Sequence, residues 1–338
     1  YSELLNAEPV VFEMGRAALS IWAQWVEQLQ AQCAMEIALQ QRGSMVVAHT
    51  QDSGDFQHFV QRLRAHVCVP QHNVEILQQE QLAQLEPALA QRFRQAVFLK
   101  EEGVIDNWQL FAALQKVLEP CVWHKNITVQ SVQPNRIVVG EKVGGEQVIG
   151  EQVASEQVIG KKITGEKTFE FDHVLDCRGF GAKHELNNFR GVRGEVIWVH
   201  APEVSISRPV RLMHPRYQLY IAPKPGNLYV IGATEIESES LSPITVRSSL
   251  ELLSALYSVD TAFAEAEVIE TFANCRPGFI DNLPRIQHSN GLTRINGLYR
   301  HGYLLAPVVV SDAISVLCGA HQNIRWRSSI EIISEVVT

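Results

Sequence analysis

Apolar residues recur at helical spacing in the first third of the chain and alternate there with short β-rich runs. The clearest helical stretch covers residues 9–31, where every third or fourth position is apolar. By the same criteria, helices are predicted over residues 9–31, 78–92 and 108–118, and strands over residues 44–49 and 74–77. Asp106 precedes the third helix and is suited to cap it. The alternation of strands with helices favours an α/β architecture.

From residue 121 onward the pattern changes to strands. The turn sequence of residues 223–227 predicts one hairpin, and Asn290-Gly291 predicts another. The predicted strands cover residues 127–132, 136–139, 169–175, 192–200, 217–222, 228–232 and 266–272, with more strands within 285–300. Two further helices are predicted over residues 247–258 and 306–319. An α/β part is therefore interrupted by a mainly antiparallel part and then resumed.

Residues 140–167 carry a five-residue repeat of the type Gly-Glu-Gln-Val-Ile. A period of five matches neither a strand nor a helix, because successive copies would point to opposite faces of a strand. The repeat is interpreted as an expanded, mobile hairpin tip. A flap that binds a partner is the alternative.

Composition narrows the functional classes. The 338 residues carry a formal net charge of −8 and a pI near 5.9, which gives no global basic field for nucleic acid or an anionic membrane. The six cysteines are scattered singly, so neither a zinc site nor a disulfide framework is predicted, and reduced thiols in the cytoplasm are expected. No membrane span and no signal peptide are expected.

Two arginines are candidates for chemistry. Arg300 lies between Gly297 and Gly302, directly before the last predicted helix, and Arg276 lies upstream in a Cys-Arg-Pro-Gly sequence. Both sequences predict tight turns. Two arginines presented by turns near a helix N-terminus are suited to hold a small anion beside an electron-poor ring.

Four segments, in order along the chain, resemble one family. They are Gly191-Val-Arg-Gly-Glu195, the hairpin from Tyr220-Ile-Ala-Pro to Ile-Gly-Ala-Thr234, Cys275-Arg-Pro with Asp281-Asn-Leu-Pro284, and residues 297–307. Over nearly its whole length the chain resembles the glycine oxidase family of thiamine biosynthesis, within the D-amino-acid oxidase superfamily of FAD-dependent amine oxidases.

The resemblance implies an α/β fold of mixed α+β character, in which a Rossmann-like FAD-binding domain is interleaved with a mainly antiparallel substrate domain. The FAD-binding domain is expected to comprise residues 1–40, 98–186 and 285–338, and the substrate domain residues 41–97 and 187–284. The family opens with a strand, a GxGxxG turn and a helix that hold the ADP part of FAD. That unit is missing from the sequence, so about fifty residues are expected upstream of Tyr1.

The resemblance also implies roles for individual side chains. Arg276 is expected to grip the substrate carboxylate bidentately, and a structural arginine bonded to turn carbonyls is the alternative. Arg300 is expected near both substrate and cofactor, with a loop-shaping salt bridge as the alternative. Tyr220 is expected to reach a carboxylate oxygen unless it is simply packed, and Glu235 either selects the amine or points to solvent. No certain catalytic acid or base and no metal ligand are predicted.

The expected contacts to FAD come from three places. Main-chain contacts to the flavin are expected from Leu298, Tyr299, Arg300, His301, Gly302, Tyr303 and Leu304. The backbone of Val129 is expected to contact the adenine, with an ordinary strand valine as the alternative, and Gly179 is expected to close a turn beside the cofactor. The last helix is expected to aim its positive end at the N1/O2 edge of the flavin.

The activity implied is FAD-dependent oxidative deamination of glycine and other small amines or D-amino acids, with a hydride passing from the amine-bearing carbon to the flavin. The expected products are the imine or 2-oxo acid, ammonia and H2O2, with O2 as acceptor and the thiazole branch of thiamine biosynthesis as the setting. A cytoplasmic homo-oligomer is expected. Two alternatives stay open: a sarcosine or D-amino-acid dehydrogenase that passes electrons to a quinone, and a non-catalytic remnant unable to hold FAD.

Overall fold

The computed structural model describes residues 7–66, 69–141, 166–214 and 219–332. The five-residue repeat, predicted to form a mobile tip, therefore lies almost entirely outside the described residues. The chain divides into two compact units. Unit 1 comprises Tyr1–Glu119, Arg193–Glu237 and Pro243–Asn274, and unit 2 comprises Pro120–Val192, Ser238–Ser242 and Cys275–Thr338. The domain boundaries given above stay a prediction.

The helices follow the apolar periodicity closely. They are α1 (Pro9–Cys33), α2 (Ser53–Ala65), α3 (Gln79–Leu85), α4 (Pro87–Ala90), α5 (Asn107–Val117), α6 (Val246–Val259) and α7 (Gly302–Leu317). The Asp106 carboxylate caps α5 as predicted, accepting from the backbone N–H of Gln109 at 2.8 Å. The single helix predicted over residues 78–92 is wrong. Glu86 is not helical because it directly precedes Pro87, so α3 and α4 are separate.

A large sheet has most of its residues in unit 1, whereas the first residues of β10 and the last residues of β14 belong to unit 2. In the order in which they lie side by side, its strands are β14 (Glu267–Phe279), β10 (Phe189–His200), β13 (Leu228–Gly232), β12 (Leu219–Lys224), β11 (Val210–Met213), β2 (Ser44–Ala48), β4 (Gln95–Leu99) and β3 (Val74–Gln78). From β10 to β3 neighbouring strands are antiparallel, except that β11 and β2 are parallel. Strands β4 and β11 are missing from the sequence predictions.

One face of this sheet forms the core of unit 1. Ile221 of β12 and Ile231 of β13 are fully buried there, together with Leu252 and Leu256 of α6. Each such side chain stabilises the fold by about 1.5–3 kcal/mol relative to an exposed one. Because successive residues of a strand point to opposite faces, Tyr220 lies on the other face.

Helix α5 contacts the rest of unit 1 through its first turn and through the residues just before it. It packs against α1, and the ring of Trp108 lies 5.4 Å from the ring of Trp198 on β10. The short strand β5 (Val104–Ile105) directly precedes α5 in the chain and pairs with another short strand, β1 (Leu39–Gln40). The Lys224 ammonium donates to the carbonyl of Ile105 at 2.6 Å. Burial lowers the pKa of Lys224, while the charge of Asp106 opposes the shift.

Unit 2 contains two small sheets. The four-stranded sheet has the order β17 (Ile330–Ile332), β15 (Arg285–Ser289), β16 (Leu292–Asn296) and β9 (Val174–Asp176), and the three-stranded sheet has the order β6 (Ile127–Gln133), β7 (Arg136–Glu141) and β8 (Glu166–Glu170). The pairs β16–β9 and β15–β17 are parallel. Helix α7 packs against β15 and β16.

The single strand predicted over residues 169–175 is wrong, because it divides between the two small sheets of unit 2. Asn135 causes the break. Its carbonyl accepts from the backbone N–H of Phe171 at 2.8 Å, and its side-chain amide donates to the carbonyls of Phe171 and Asp172 at 3.1 and 2.5 Å. These bonds turn the chain between β8 and β9.

Candidate functional site

Three segments that the sequence predicts for substrate and cofactor lie together in unit 2. The carbonyl of Gly179, just after β9, accepts from the Asn296 side chain at 2.9 Å. A Cβ added to Gly179 would lie 3.6 Å from the ring of Pro277, at the end of β14. A Cβ added to Gly278 would lie 3.2 Å from the ring of Tyr299. The turn after β9, the end of β14 and the loop before α7 are therefore neighbours.

Arg276 lies within strand β14, so the prediction of a turn there is wrong. The strand continues through Pro277 and ends at buried Phe279, whose ring packs edge-on against Phe189 at 5.0 Å. Since β14 is at the edge of its sheet, it has a neighbouring strand on one side only, and edge strands are where proline is tolerated. Arg276 itself is half-buried.

The loop before α7 is tightly folded. Gly297 has a φ of 78°, and a Cβ there would lie 2.4 Å from the ring of Phe279, so the position requires glycine. Tyr299 also has a positive φ, of 48°. Tyr299–His301 form a single 3-10 turn in which Arg300 is half-buried. Helix α7 then begins at Gly302, four residues before the predicted start.

The N-terminus of α7 is suited to polar groups that carry negative charge. The backbone N–H groups of the first helical turn have no partner within the helix, and their dipoles point out of its end. In the part of the chain that the structure describes, the N-cap residue His301 makes no side-chain capping bond. A Cβ on Gly302 would meet only the Cβ of Leu298, at 3.9 Å, so a ligand can approach the backbone there.

The two remaining predicted site residues lie elsewhere. Val129 is on β6, half-buried, where it packs against a small cluster that includes Val132 and Leu292. Tyr220 is in unit 1, on the face of the large sheet opposite to the core, and it pairs with Gly232 in the neighbouring strand. A Cβ on Gly232 would lie 2.5 Å from the Tyr220 hydroxyl, so the ring needs this glycine beneath it.

Comparison with known proteins identifies the family. The sequence profile of the DAO family, described as FAD dependent oxidoreductase, matches residues 2–311. The chain belongs to the DAO family. It is therefore an FAD-dependent oxidoreductase, as the resemblance predicted. Over 312 residues it is 36% identical to a Rhizobium etli protein named for thiamine biosynthesis as the oxidoreductase ThiO, covering 92% of this chain and 80% of that protein.

Solved structures of DAO-type flavoenzymes share the fold. The glycine oxidase of Geobacillus kaustophilus is matched with a TM-score of 0.67 at 22% identity, over 92% of this chain and 80% of that one. The iminodiacetate oxidase of Chelativorans sp. is matched with a TM-score of 0.75 at 18% identity, over 96% and 85%. The predicted fold class is thus confirmed.

In this DAO-family chain the turn after β9 is held by a partly buried group of charges that was not predicted from the sequence. The unit 2 ion network comprises Asp176, Arg178, Glu185 and Arg294. Arg178 spans Asp176 and Glu185 at 2.8 Å each, and Arg294 contacts the same two carboxylates at 3.3 and 2.6 Å. Burial alone would raise the pKa of Asp176, but hydrogen bonds from Arg178 and Arg294 hold this pKa below its ordinary value. Arg178 therefore has a structural role.

The Gly-Val-Arg-Gly-Glu motif has a structural explanation in unit 1. Arg193 and Glu195 are almost fully buried and form an ion pair at 2.7 Å. Arg193 also donates to the carbonyl of Pro243 at 2.8 Å. Burial would raise the pKa of Glu195, but bonds from Ser248, Arg193 and Thr234 outweigh it and lower this pKa. Paired in this way, both charges hold the segment that follows β13, through Thr234 and Pro243.

Three further observations concern a cysteine, metal ions and membrane spans. Loss of solvent around the sulfur and the charge of Asp176 raise the pKa of the Cys177 thiol, which opposes nucleophilic use. Within residues 7–332, where described, no group of three or more His, Cys, Asp or Glu side chains is arranged to hold a metal ion. None of the described helices has both the length and the apolar character that crossing a membrane requires.

Proposed function

We propose that the protein oxidises glycine and other small amines that carry a carboxylate, including D-amino acids, with O2 as acceptor. The observation that carries this proposal is the meeting of the Arg276 strand end, the Arg300 turn and the open start of α7 in unit 2. A small anion and a flat electron-poor ring are the ligands that such a group of donors suits.

Each part of this site has a separate task. FAD, when bound, supplies the acceptor for the hydride of the amine-bearing carbon. The guanidinium of Arg276 binds the substrate carboxylate bidentately and so orients that carbon. Arg300 adds a second positive charge beside the site. The backbone N–H groups of the first turn of α7 would hold the flavin and stabilise negative charge on it.

The biological setting is proposed from the relative. The Rhizobium etli protein is named for thiamine biosynthesis, and the likeness covers most of both chains. We place the reaction in the thiazole branch of that pathway, where the imine of glycine is the product that is used. Free imine hydrolyses to the 2-oxo acid and ammonia, and return of the electrons to O2 gives H2O2.

The decisive experiment uses the purified full-length protein with FAD. Glycine, sarcosine and D-alanine are offered, and H2O2 formation is followed. We expect peroxide with glycine, and for Arg276→Ala a rise in KM of about tenfold to a hundredfold with the flavin spectrum retained, because a charge-assisted hydrogen bond contributes about 1.5–3 kcal/mol. Arg136→Ala, on an exposed position of β7, is the control that keeps the wild-type KM.

Three results would contradict the proposal. Turnover that needs a quinone and gives no peroxide would assign a dehydrogenase. An unchanged KM in Arg276→Ala would remove the proposed carboxylate anchor. A colourless full-length protein that shows no flavin spectrum after FAD is added would favour a non-catalytic remnant.

A further inference from the structure

The ring of Tyr299 is held in a stack inside unit 2. On one side it lies against Gly278, where an added Cβ would be 3.2 Å from ring carbon Cδ2 and 3.6 Å from Cγ. The guanidinium carbon of Arg190 lies 5.4 Å from the ring centroid, within the range of a cation–π contact. A side chain at Gly278 would therefore require the tyrosine ring to shift by a few tenths of an ångström.

A hydrogen bond closes the stack. Arg190 donates to the Asn282 side-chain oxygen at 2.9 Å. The same oxygen would lie 3.8 Å from a Cβ on Gly278. Asn282 has a φ of 56°, so the turn after β14 is bent sharply at this residue. The beginning of β10, the end of β14, the turn after it and the loop before α7 thus converge on one aromatic ring.

The stack joins the two segments that carry the candidate arginines. Gly278 is two residues after Arg276 in an extended strand, a distance of about 7 Å along the chain. Tyr299 directly precedes Arg300. The thickness of the ring therefore sets how close the Arg276 strand and the Arg300 turn can come.

The backbone conformation of Tyr299 also indicates that its side chain has a structural role. Its φ of 48° lies in the left-handed region, which costs a non-glycine residue about 1 kcal/mol or more. Glycine would adopt this conformation without cost. The ring contacts with Gly278 and Arg190 offset the cost, so the side chain rather than the turn accounts for a tyrosine here.

We infer that Tyr299 is a positioning residue whose ring fixes the spacing between Arg276 and Arg300 and so sets the grip on the substrate carboxylate. This inference rests on the proposed function, because it assumes that the two arginines meet the substrate. It gives the side chain of Tyr299 a role separate from the main-chain flavin contact predicted for that residue.

The test compares four variants of the FAD-loaded full-length protein: Tyr299→Phe, Tyr299→Ala, Tyr299→Gly and Gly278→Ala. The readouts are KM and kcat for glycine, flavin content, and the Kd of glycolate, a carboxylate without an amine, from changes in flavin absorbance. Tyr299→Phe keeps the ring and is expected to stay within about threefold of wild type in KM and Kd. Tyr299→Ala and Tyr299→Gly are expected to raise KM and Kd by about tenfold or more, and to change these two quantities more than they change kcat at saturating glycine.

Two further comparisons separate positioning from general damage. Gly278→Ala adds a methyl group 3.2 Å from the Tyr299 ring and is expected to raise KM too, by a smaller factor. In an Arg276→Ala background, Tyr299→Gly is expected to add less than about threefold, because residues that act through one another are not additive.

Different results would contradict the role of Tyr299 and the proposed function. If Tyr299→Gly binds glycolate as tightly as wild type, or if it loses FAD while Tyr299→Phe keeps it, the inference is wrong. Full additivity with Arg276→Ala also overturns it. A wild-type protein that binds glycolate but does not oxidise glycine contradicts the proposed function instead, and the glycolate affinities of the variants still decide the role of Tyr299.

Discussion

Gly297 and Gly302 stand on either side of Arg300 and look equivalent in the sequence, but the structure needs them for different reasons. Gly297 combines a positive φ with contacts that leave no room for a Cβ. Gly302 has ordinary helical geometry, and a Cβ there would meet one atom at van der Waals distance. Gly297 is therefore required by the fold, whereas the absence of a side chain at Gly302 leaves space next to the backbone.

Alanine substitutions separate these two reasons. Gly297→Ala is expected to lower the free energy of unfolding by about 2 kcal/mol or more, since both strain and steric overlap are introduced. Gly302→Ala is expected to change it by less than about 0.5 kcal/mol. If the flavin lies where we propose, Gly302→Ala instead weakens FAD binding. Urea denaturation and flavin titration of both variants measure these effects, and equal losses of stability would contradict the distinction.

At the residue scale, the sequence was sufficient to identify the candidate arginines. It was not sufficient to predict the backbone conformation and the contacts around them. A Cys-Arg-Pro-Gly sequence is typical of a turn, yet Arg276 lies in a strand because the edge position of β14 tolerates proline. The positive φ of Tyr299 and the partners of Arg178 depend on residues distant in sequence. No local pattern encodes them.

At the scale of elements, two histidines and a threonine connect neighbouring strands of the four-stranded sheet in unit 2. His173 and His288 both bond the hydroxyl of buried Thr293, at 2.9 and 2.7 Å, and their rings lie 5.8 Å apart. A hydroxyl can donate to one imidazole nitrogen while it accepts from the other. The network is therefore satisfied when both rings are neutral.

Acid is expected to weaken this sheet. Burial, together with the charges of His173 and His321, lowers the pKa of His288 below its ordinary 6.5. The unfolded chain then takes up a proton at a higher pH than the folded chain. The stabilisation is fully present above about pH 7 and is lost progressively as the pH falls below about 6.5.

Urea denaturation between pH 7.5 and 5 measures this loss. His288→Asn is expected to show a flatter pH dependence than wild type. Thr293→Val is expected to lower the free energy of unfolding at neutral pH by about 1–3 kcal/mol, because it leaves ring nitrogens without their partner, whereas Thr293→Ser keeps the hydroxyl. A pH dependence in His288→Asn as steep as in wild type would exclude this histidine as the cause.

The unit 2 ion network predicts a second effect at the scale of elements. Arg294→Met leaves Asp176, almost fully buried, with half of its counter-charge. A loss of about 3 kcal/mol in unfolding free energy is expected. Lys116→Met breaks the exposed pair with Glu119 and is expected to cost less than about 1 kcal/mol. Similar losses in the two variants would show that burial does not matter here.

Element prediction succeeded where periodicity is long and failed where one residue breaks it. Helices α1, α5 and α6 follow directly from apolar spacing, and α5 also from its Asp106 cap. The separation of α3 from α4 depends on the residue before a proline. The division between β8 and β9 depends on hydrogen bonds from Asn135, far away in the sequence. Hydrogen bonds between residues that are distant in sequence produce no periodic pattern along the chain.

For the whole molecule, the order of motifs was enough to predict the family and the fold class, both of which the comparisons confirm. The strand order of the large sheet was not predictable. Strand β2 lies beside β11, more than 160 residues further along the chain. Apolar alternation shows that a strand has a buried face, but it does not show which strand lies next to it.

A cofactor that binds only the folded chain stabilises the whole molecule. For the full-length protein, FAD at a hundred times its Kd is expected to raise the free energy of unfolding by about 2.7 kcal/mol. The matching observation is a Tm that rises with FAD concentration. The increase should be smaller in Gly302→Ala at the same FAD concentration. A Tm independent of FAD would contradict binding to the native state.

The contact between Trp108 and Trp198 provides an optical signal for helix α5. Two indoles with centroids 5.4 Å apart and planes inclined by 53° couple their excited states, which produces paired bands of opposite sign in circular dichroism. Trp22 and Trp25 form a second such pair within α1, so the difference spectrum between wild type and Trp198→Phe isolates the first. During gradual denaturation, these bands would disappear when α5 leaves the sheet, whether or not the rest of the unit has begun to unfold.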